Sequence, residues 1–338
     1  MFSMSRGTLA WLAASASLLA LVVFAFSVGR YPLTVGDLVA AFGVRLFGLD
    51  AALPANAEAV IFEIRGPRVV AALAIGGALA AAGAAYQGMF RNPLVSPDIL
   101  GVSGGAALGA VLGIFLSRDA WVIQAMAFAG GLAAVGLVFA IGGALRGHDP
   151  IVSLVLTGVV LGTLLGSLIA MLKYLADPYN QLPAITFWLL GSLAAVAPQD
   201  LWALLSLIAI GLAPLFALRW RMNLLALPED EARALGVNTR LLRAIVILGA
   251  TLATAASVAV SGVIGWIGLL IPHAARLLVG PDFGRLLPLS ILLGAGFLLG
   301  IDTICRTATT IELPPGVLTA LLGTPAFLWL LVIARRSW

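Results

Sequence analysis

RGPRVVAALAIGGALAAAGAAYQGMFRNPLVSPDILGVSGGAALG, residues 65–109, sets the terms on which the rest of the chain is read. No charge interrupts it between Arg68 and Arg91. A helix needs about 20 apolar residues to cross about 30 Å of hydrocarbon, so this run is one membrane span. RNPLVSPDILG then brings an arginine, an asparagine, two prolines and an aspartate before apolar sequence resumes. Non-helical backbone at membrane depth is tolerated where it is buried in protein or lines a cavity. Pro93 and Pro97 stop the second span and stiffen the turn, and Asp98 is placed to cap the span that follows. The stretch therefore reads as span, shaped turn, span, in an all-α integral membrane protein.

Composition carries that reading to all 338 residues. Hydrophobic residues make up 62% and charged residues only 10%, with a mean hydropathy of +1.10. A soluble domain is about a quarter charged, so this chain could not cover a globule with polar surface. Thirty-eight glycines suit helices that pack through small residues. Cys305 is the only cysteine, which excludes an internal disulfide. A net charge of +4 does not point to nucleic acid; the placement of the arginines matters more than their sum.

Ten spans are expected, at about 8–29, 67–89, 99–116, 121–145, 151–172, 199–218, 241–261, 263–279, 286–304 and 315–334. The first is longer than the 7–15-residue apolar core of a signal peptide and reads as a retained helix. Residues 181–193 are too short to cross and are expected to form a small helix packed at one face. Ten crossings put both termini on one side. With that side cytoplasmic, twelve basic residues lie inside: Arg6, Arg91, Arg146, Arg219, Arg221, Arg233, Arg240, Arg243, Arg276, Arg285, Arg335 and Arg336. Seven lie outside: Arg30, Arg45, Arg65, Arg68, Arg118, Lys173 and Arg306. The excess favours cytoplasmic termini. Arg65, Arg68 and Arg306 break the rule at helix ends, not in loops. An R-x-x-R opens the spans at Arg65 and Arg240, 240 − 65 = 175 residues apart, as an inverted transporter repeat would.

Several chemistries are missing. There is no G-x-x-x-x-G-K-[ST] phosphate loop, and Lys173 is the sole lysine, so the chain does not hydrolyse ATP alone. No His, Cys and carboxylate cluster has metal-ligand spacing, and no catalytic constellation is evident. His148 and His273 are far apart and read as helix-end caps or headgroup contacts. Asp302 lies four residues before Arg306, which reads as a local ion pair, not as a proton or sodium site.

RWRMNLLALPEDEARALGVNTR, residues 219–240, is the largest charged block. Pro228 followed by Glu229, Asp230 and Glu231 starts a helix, and Gly236 stops it. A short capped helix between two spans is a compact docking knob; the plainer alternative is a solvated loop.

Glu231-Ala232 followed by Leu235-Gly236 resembles the cytoplasmic coupling motif of ATP-binding-cassette importers. Residues 65–109, GWIGLLIPHAARLLVGPDFGRLLP and ELPPGVLTALLGTPAFLWLL together resemble the FecCD-type permeases for ferric siderophores, haem and cobalamin, in order from about residue 60 to the end. ADPYNQLPAITFWLLGSL is similar to a branch that includes molybdate and tungstate importers. The first 60 residues match in hydropathy alone, which leaves the role of residues 30–60 open.

The resemblance implies the type II importer fold: a single permease domain, residues 1–338, working as a homodimer in the bacterial inner membrane. It implies two separate ATPase subunits that bind ATP and Mg, and a periplasmic substrate-binding protein; the permease itself would hold no cofactor and no metal. The coupling helix would be residues 228–237, comprising Pro228, Glu229, Asp230, Glu231, Ala232, Arg233, Leu235 and Gly236. Arg65, Arg68 and Arg306 would pair with glutamates of the binding protein; snorkelling interface arginines are the alternative. Asn92 and Leu94 would form a cytoplasmic gate, completed by Pro150, Ile151 and Val152. The second and fifth spans offer mostly Ala, Gly, Leu, Ser and Thr, walls along which a bulky chelate could slide. Ferric siderophore or haem is the first expectation for the cargo; cobalamin, molybdate or tungstate are the alternatives. A secondary transporter or channel without an ATPase is the alternative of a different class.

Overall fold

A computed structural model of the chain describes residues 6–50, 52–144, 150–227 and 229–334, and every ordered element among them is helical. α1 is Arg6–Ser27 and α2 is Val35–Phe47. α3, Ala57–Ala59, runs through a π-helical turn, Val60–Arg65, into α4, Gly66–Phe90. α5 is Val102–Phe115, α6 Ala120–Ala144, α7 Pro150–Leu175 and α8 Gln181–Leu190. α9 is Pro198–Met222, α10 Glu229–Ala234, α11 Thr239–Ser261 and α12 Ile267–Val279. α13, Phe283–Thr307, and α14, Pro315–Ala334, complete the order.

Each of the ten expected spans has its helix. Among the described residues, seven are long and apolar enough to cross a membrane by length and composition. The third and eighth are the shorter apolar helices α5 and α12, and the tenth, α14, is apolar over Pro315–Leu330. α5 begins later than its apolar run because Pro97–Leu100 is a 3-10 turn and Gly101 is left-handed, φ +79°. α12 begins four residues late because Gly262 (φ +68°) and Trp266 (φ +72°) both break the right-handed helix. The short helix expected near 181–193 is α8. Not expected were α2 and the π-turn.

α4 is the axis of the molecule. It packs against α13, α11, α12 and α9, and 83% of its most apolar stretch is buried. Small residues make that possible. A Cβ added to Gly83 would lie 1.9 Å from the Gly268 carbonyl oxygen, so the backbones of α4 and α12 touch where no side chain would fit. α11 is the second buried helix, with 72% of its stretch enclosed. α5, α6 and α7 pack beside this core, and α7 also packs on the 97–100 turn. α4 spans 25 residues, about 37 Å at 1.5 Å per residue, and separates two polar clusters.

Candidate functional site

The first cluster gathers the starts and ends of α1, α4 and α13. The last carbonyls of a helix have no partner within it. In α1 guanidinium groups fill that role. Arg306 donates to the carbonyl of Val28 at 2.7 Å and to that of Ala25. Arg65 donates to Tyr31 at 2.5 Å and to the carbonyl of Phe26. Positive charge there also answers the negative end of the helix dipole. Gly29 holds φ +154°, which side-chain-bearing residues rarely adopt, and a Cβ there would lie 2.5 Å from the Arg65 guanidinium, which would have to shift. Arg30 ties the same corner to the carbonyl of Thr310.

Arg68 stands between two carboxylates. Its Nε donates to both Asp302 oxygens at 2.9 and 3.0 Å, and its two Nη atoms donate to Glu312 at 3.1 and 2.9 Å. The side chains of Arg68 and Asp302 are 11% and 1% exposed, against 40% for Glu312. The local Asp302–Arg306 pair exists, but at 3.8 Å it is the looser of the two ion pairs Asp302 makes. The three expected docking arginines are thus brought together, and each is engaged by its own chain. A cavity of about 290 Å³ opens beside them, lined by Arg30, Tyr31, Arg65, Arg68 and Glu312 among others.

The second cluster lies at the far end of α4. Phe90 ends the helix, and Arg91 takes the left-handed conformation, φ +51°, that turns the chain. Asn92 Oδ1 then accepts the Leu94 N–H at 2.9 Å, so the turn folds on itself. Leu94 is 54% and Val152 49% exposed. The side chains of Pro150 and Ile151 and all of residue 228 lie outside what is described. Asp98 does not cap α5. The cap position is Gly101, and Asp98, within the 3-10 turn, accepts hydrogen bonds from Ser103 and, at 3.4 Å, from Ser96.

Beside that turn the charged block takes its expected form. α10 runs from Glu229 to Ala234, and Gly236, φ +78°, closes it with a hydrogen bond to the Arg233 carbonyl at 2.9 Å. Ala232 is fully buried against the protein. Asp230, Glu231, Arg233 and Gly236 are exposed, as is Leu235 at 62%. The root of the knob is anchored twice. Asn223 donates to Asp282 at 3.0 Å and accepts the Phe283 N–H at 2.7 Å. Arg91 donates to the Leu225 carbonyl at 2.9 Å and to that of Leu227.

His273 departs from expectation. It is 4% exposed, lies midway along α12 and packs edge-on against Phe327 of α14 at 6.1 Å, so it is not at a helix end. His148 lies outside the described residues. Among the described residues no group of three or more His, Cys, Asp or Glu side chains is placed to hold a metal ion.

Sequence comparison decides what kind of protein carries these two ends. The model of the FecCD transport family matches residues 17–333. The chain belongs to the FecCD transport family. FecCD chains are permease subunits of ATP-binding-cassette importers for metal chelates, vitamins or molybdate, and multi-pass membrane proteins. A "probable iron chelatin transport system permease protein" of Helicobacter pylori is 43% identical over 276 residues, covering 82% of this chain and 83% of the relative. The molybdate import system permease protein MolB of Haemophilus influenzae is 38% identical over 307 residues, 90% of each chain. A solved metal-chelate type ABC transporter, in an inward-facing conformation, superposes with a TM-score of 0.86 at 36% identity, covering 95% of this chain and 98% of that one. The FecCD resemblance in the sequence began near residue 60; the family match reaches back into α1.

Residues that sequence reasoning missed are Glu312, which opens the quoted ELPPG stretch, and Arg91. Both were visible as charges. Their partners, 244 and 134–136 residues away, were not.

Proposed function

We propose that this chain is the permease half of an importer for a ferric chelate, assembled as a homodimer with two ATPase subunits in the bacterial inner membrane. Cargo would pass from periplasm to cytoplasm, handed over by a periplasmic binding protein. ATP and Mg would be bound by the ATPase subunits and not by this chain. Both termini would face the cytoplasm, which places the α10 knob and the Asn92–Leu94 turn inside and the arginine cluster outside.

The single observation that carries this reading is α10. It is an exposed, capped, charged knob ending in Leu235, in a chain with no phosphate loop of its own. Such a knob is what a nucleotide-hydrolysing partner would grip. Asn92 and Leu94, with Pro150, Ile151 and Val152, would meet their copies across the two-fold axis, since only residues near that axis can touch their own counterparts. Arg65, Arg68 and Arg306 would present the outer face to carboxylates of the binding protein, with Arg68 already holding one such carboxylate, Glu312. The iron chelatin relative favours iron; the MolB relative keeps molybdate or tungstate as the second reading, with cobalamin beside it.

The test is uptake into proteoliposomes holding the permease, its ATPase and its binding protein. Ferric siderophore, haem, cyanocobalamin and molybdate are offered in turn. ATP-dependent uptake of a ferric chelate supports the reading. Uptake of molybdate alone would replace iron by an oxyanion, and uptake without ATPase would remove the importer class. The permease alone is expected to hydrolyse no ATP.

A further inference from the structure

The two segments assigned to ATPase coupling and to gating are adjacent in space; the end of α4 packs on the 223–226 turn, and the Arg91 side chain adds hydrogen bonds between them. Arg91 immediately precedes Asn92 and Leu94. Leu225 and Leu227, whose carbonyls Arg91 holds, immediately precede α10. We propose that Arg91 is the strut through which movement of the α10 knob reaches the gate turn. The inference rests on the reading of α10 as the coupling helix and of 92–94 as the gate.

Three features make this a strut and not an incidental cap. A guanidinium is planar and delocalised, and two of its donors on two carbonyls fix direction as well as distance. Both ends of the link are stiff. On one side, Asn92 Oδ1 accepts the Leu94 N–H, the Asn92 N–H reaches back to the Gln87 carbonyl at 3.2 Å, and the Val95 N–H reaches the Asn92 carbonyl at 3.3 Å. On the other, residues 223–226 form a 3-10 turn, and the Leu227 N–H closes on the Leu224 carbonyl at 3.2 Å. Finally, Arg91 itself holds φ +51°, a conformation that L side chains adopt rarely and that glycine or asparagine would take more readily. An arginine at that point contributes something a glycine would not, and the two carbonyl contacts are the contribution on view.

The knob has a second anchor, through Asn223 to Asp282 and the Phe283 N–H. That anchor leads to the α12–α13 turn, where Phe283 packs beside Gly88 of α4 without hydrogen-bonding to residues 91–95. With the far side of the knob's root held by Asn223, a push on α10 moves the 225–227 carbonyls, and the guanidinium carries that displacement to residue 91. Arg91 touches no cargo in this scheme and acts as a positioning residue.

The experiment uses the full complex of permease and ATPase in nanodiscs. Cys305 is replaced by serine and Leu94 by cysteine, so a homodimer disulfide at Leu94 reports the gate. With Arg91 intact, cross-link yield should differ several-fold between the nucleotide-free and ATP-bound states. In Arg91→Lys, which keeps the charge but loses the two-pronged fork, ATP hydrolysis should persist while the cross-link yield no longer changes with nucleotide. Deuterium uptake across 91–101 should likewise lose its response to nucleotide in Arg91→Lys and Arg91→Met. A merely structural Arg91 would lower assembly and hydrolysis together and leave the nucleotide response of the surviving complex intact. That result, or a normal response in both variants, overturns the strut. Failure of the Leu94 cross-link in every state of the parent overturns the gate assignment itself, and the strut with it. Failure of a parallel Glu231→Arg variant to impair ATPase association points instead to a wrong coupling helix.

Discussion

The two ends of α4 use arginine in opposite ways. At the start of the helix, Arg65, Arg68 and Arg306 are spent within the chain. They terminate α1 and hold α13 and the 308–314 loop, and Asp302 beneath them is 1% exposed. At the other end, Arg91 holds the carbonyls of Leu225 and Leu227 at the root of α10, on which Asp230, Glu231 and the following Leu235 are exposed. One end is closed on itself; the other offers a surface that this chain alone does not cover. Under the proposed reading, a binding protein at the closed end would have to compete with the carbonyls and carboxylates that already hold the three arginines, whereas an ATPase at the open end would meet the exposed Asp230, Glu231 and Leu235.

The largest effect should come from unpairing the closed end. Arg68→Met leaves Asp302 buried with only the looser Arg306 contact. Removing one partner of a buried pair costs about 3–5 kcal/mol, which thermal unfolding in detergent would read. Pairing it with Asp302→Leu should recover most of the loss, because a buried ion pair replaced by apolar groups is close to neutral. A loss below about 1 kcal/mol in the single variant would mean the cluster is not a clamp.

Next comes the axis between the ends. Gly83→Ala drives a methyl into the Gly268 carbonyl and should cost at least about 1–3 kcal/mol, the usual range for overpacking. Unchanged stability there would mean that α4 and α12 can separate freely.

The open end should show the reverse pattern. Glu231→Arg alters an exposed residue, so stability should shift by no more than about 0.5 kcal/mol, while association with the ATPase is lost. The smallest effect belongs to Arg45 and Glu58, an exposed pair at 3.8 Å. Glu58→Gln should change stability by less than about 0.3 kcal/mol and leave ATPase association unchanged, with a smaller effect still in high salt. If it matched Arg68→Met, burial would not be what distinguishes the two ion pairs.

Hydropathy made the long helices legible, since a span must be apolar over its whole length whatever its neighbours are. The turn at 91–101 and the knob at 229–236 were legible because proline, acidic first-turn residues and glycine act locally. α2 was not, although Thr34 and Asp37 form a capping box at its start, with the Asp37 N–H on Thr34 Oγ1 at 3.1 Å. Thirteen residues are too few to register as a span, and the apolar face of α2 is satisfied by Phe26 and Phe62, which only the fold brings near. The same limit hid Arg68–Asp302, separated by 234 residues. Sequence spacing offered Asp302 its neighbour Arg306, and the fold gave it a better partner.

The contrast between the ends is tested most directly by hydrogen–deuterium exchange of the permease with and without its ATPase. Amides of 229–237 should become protected on addition of the ATPase, with 91–101 responding beside them. Those of 65–68 and 302–312 should not change. Protection confined to the 65–68 and 302–312 end, or none at 229–237, would contradict the assignment of the open end to the ATPase.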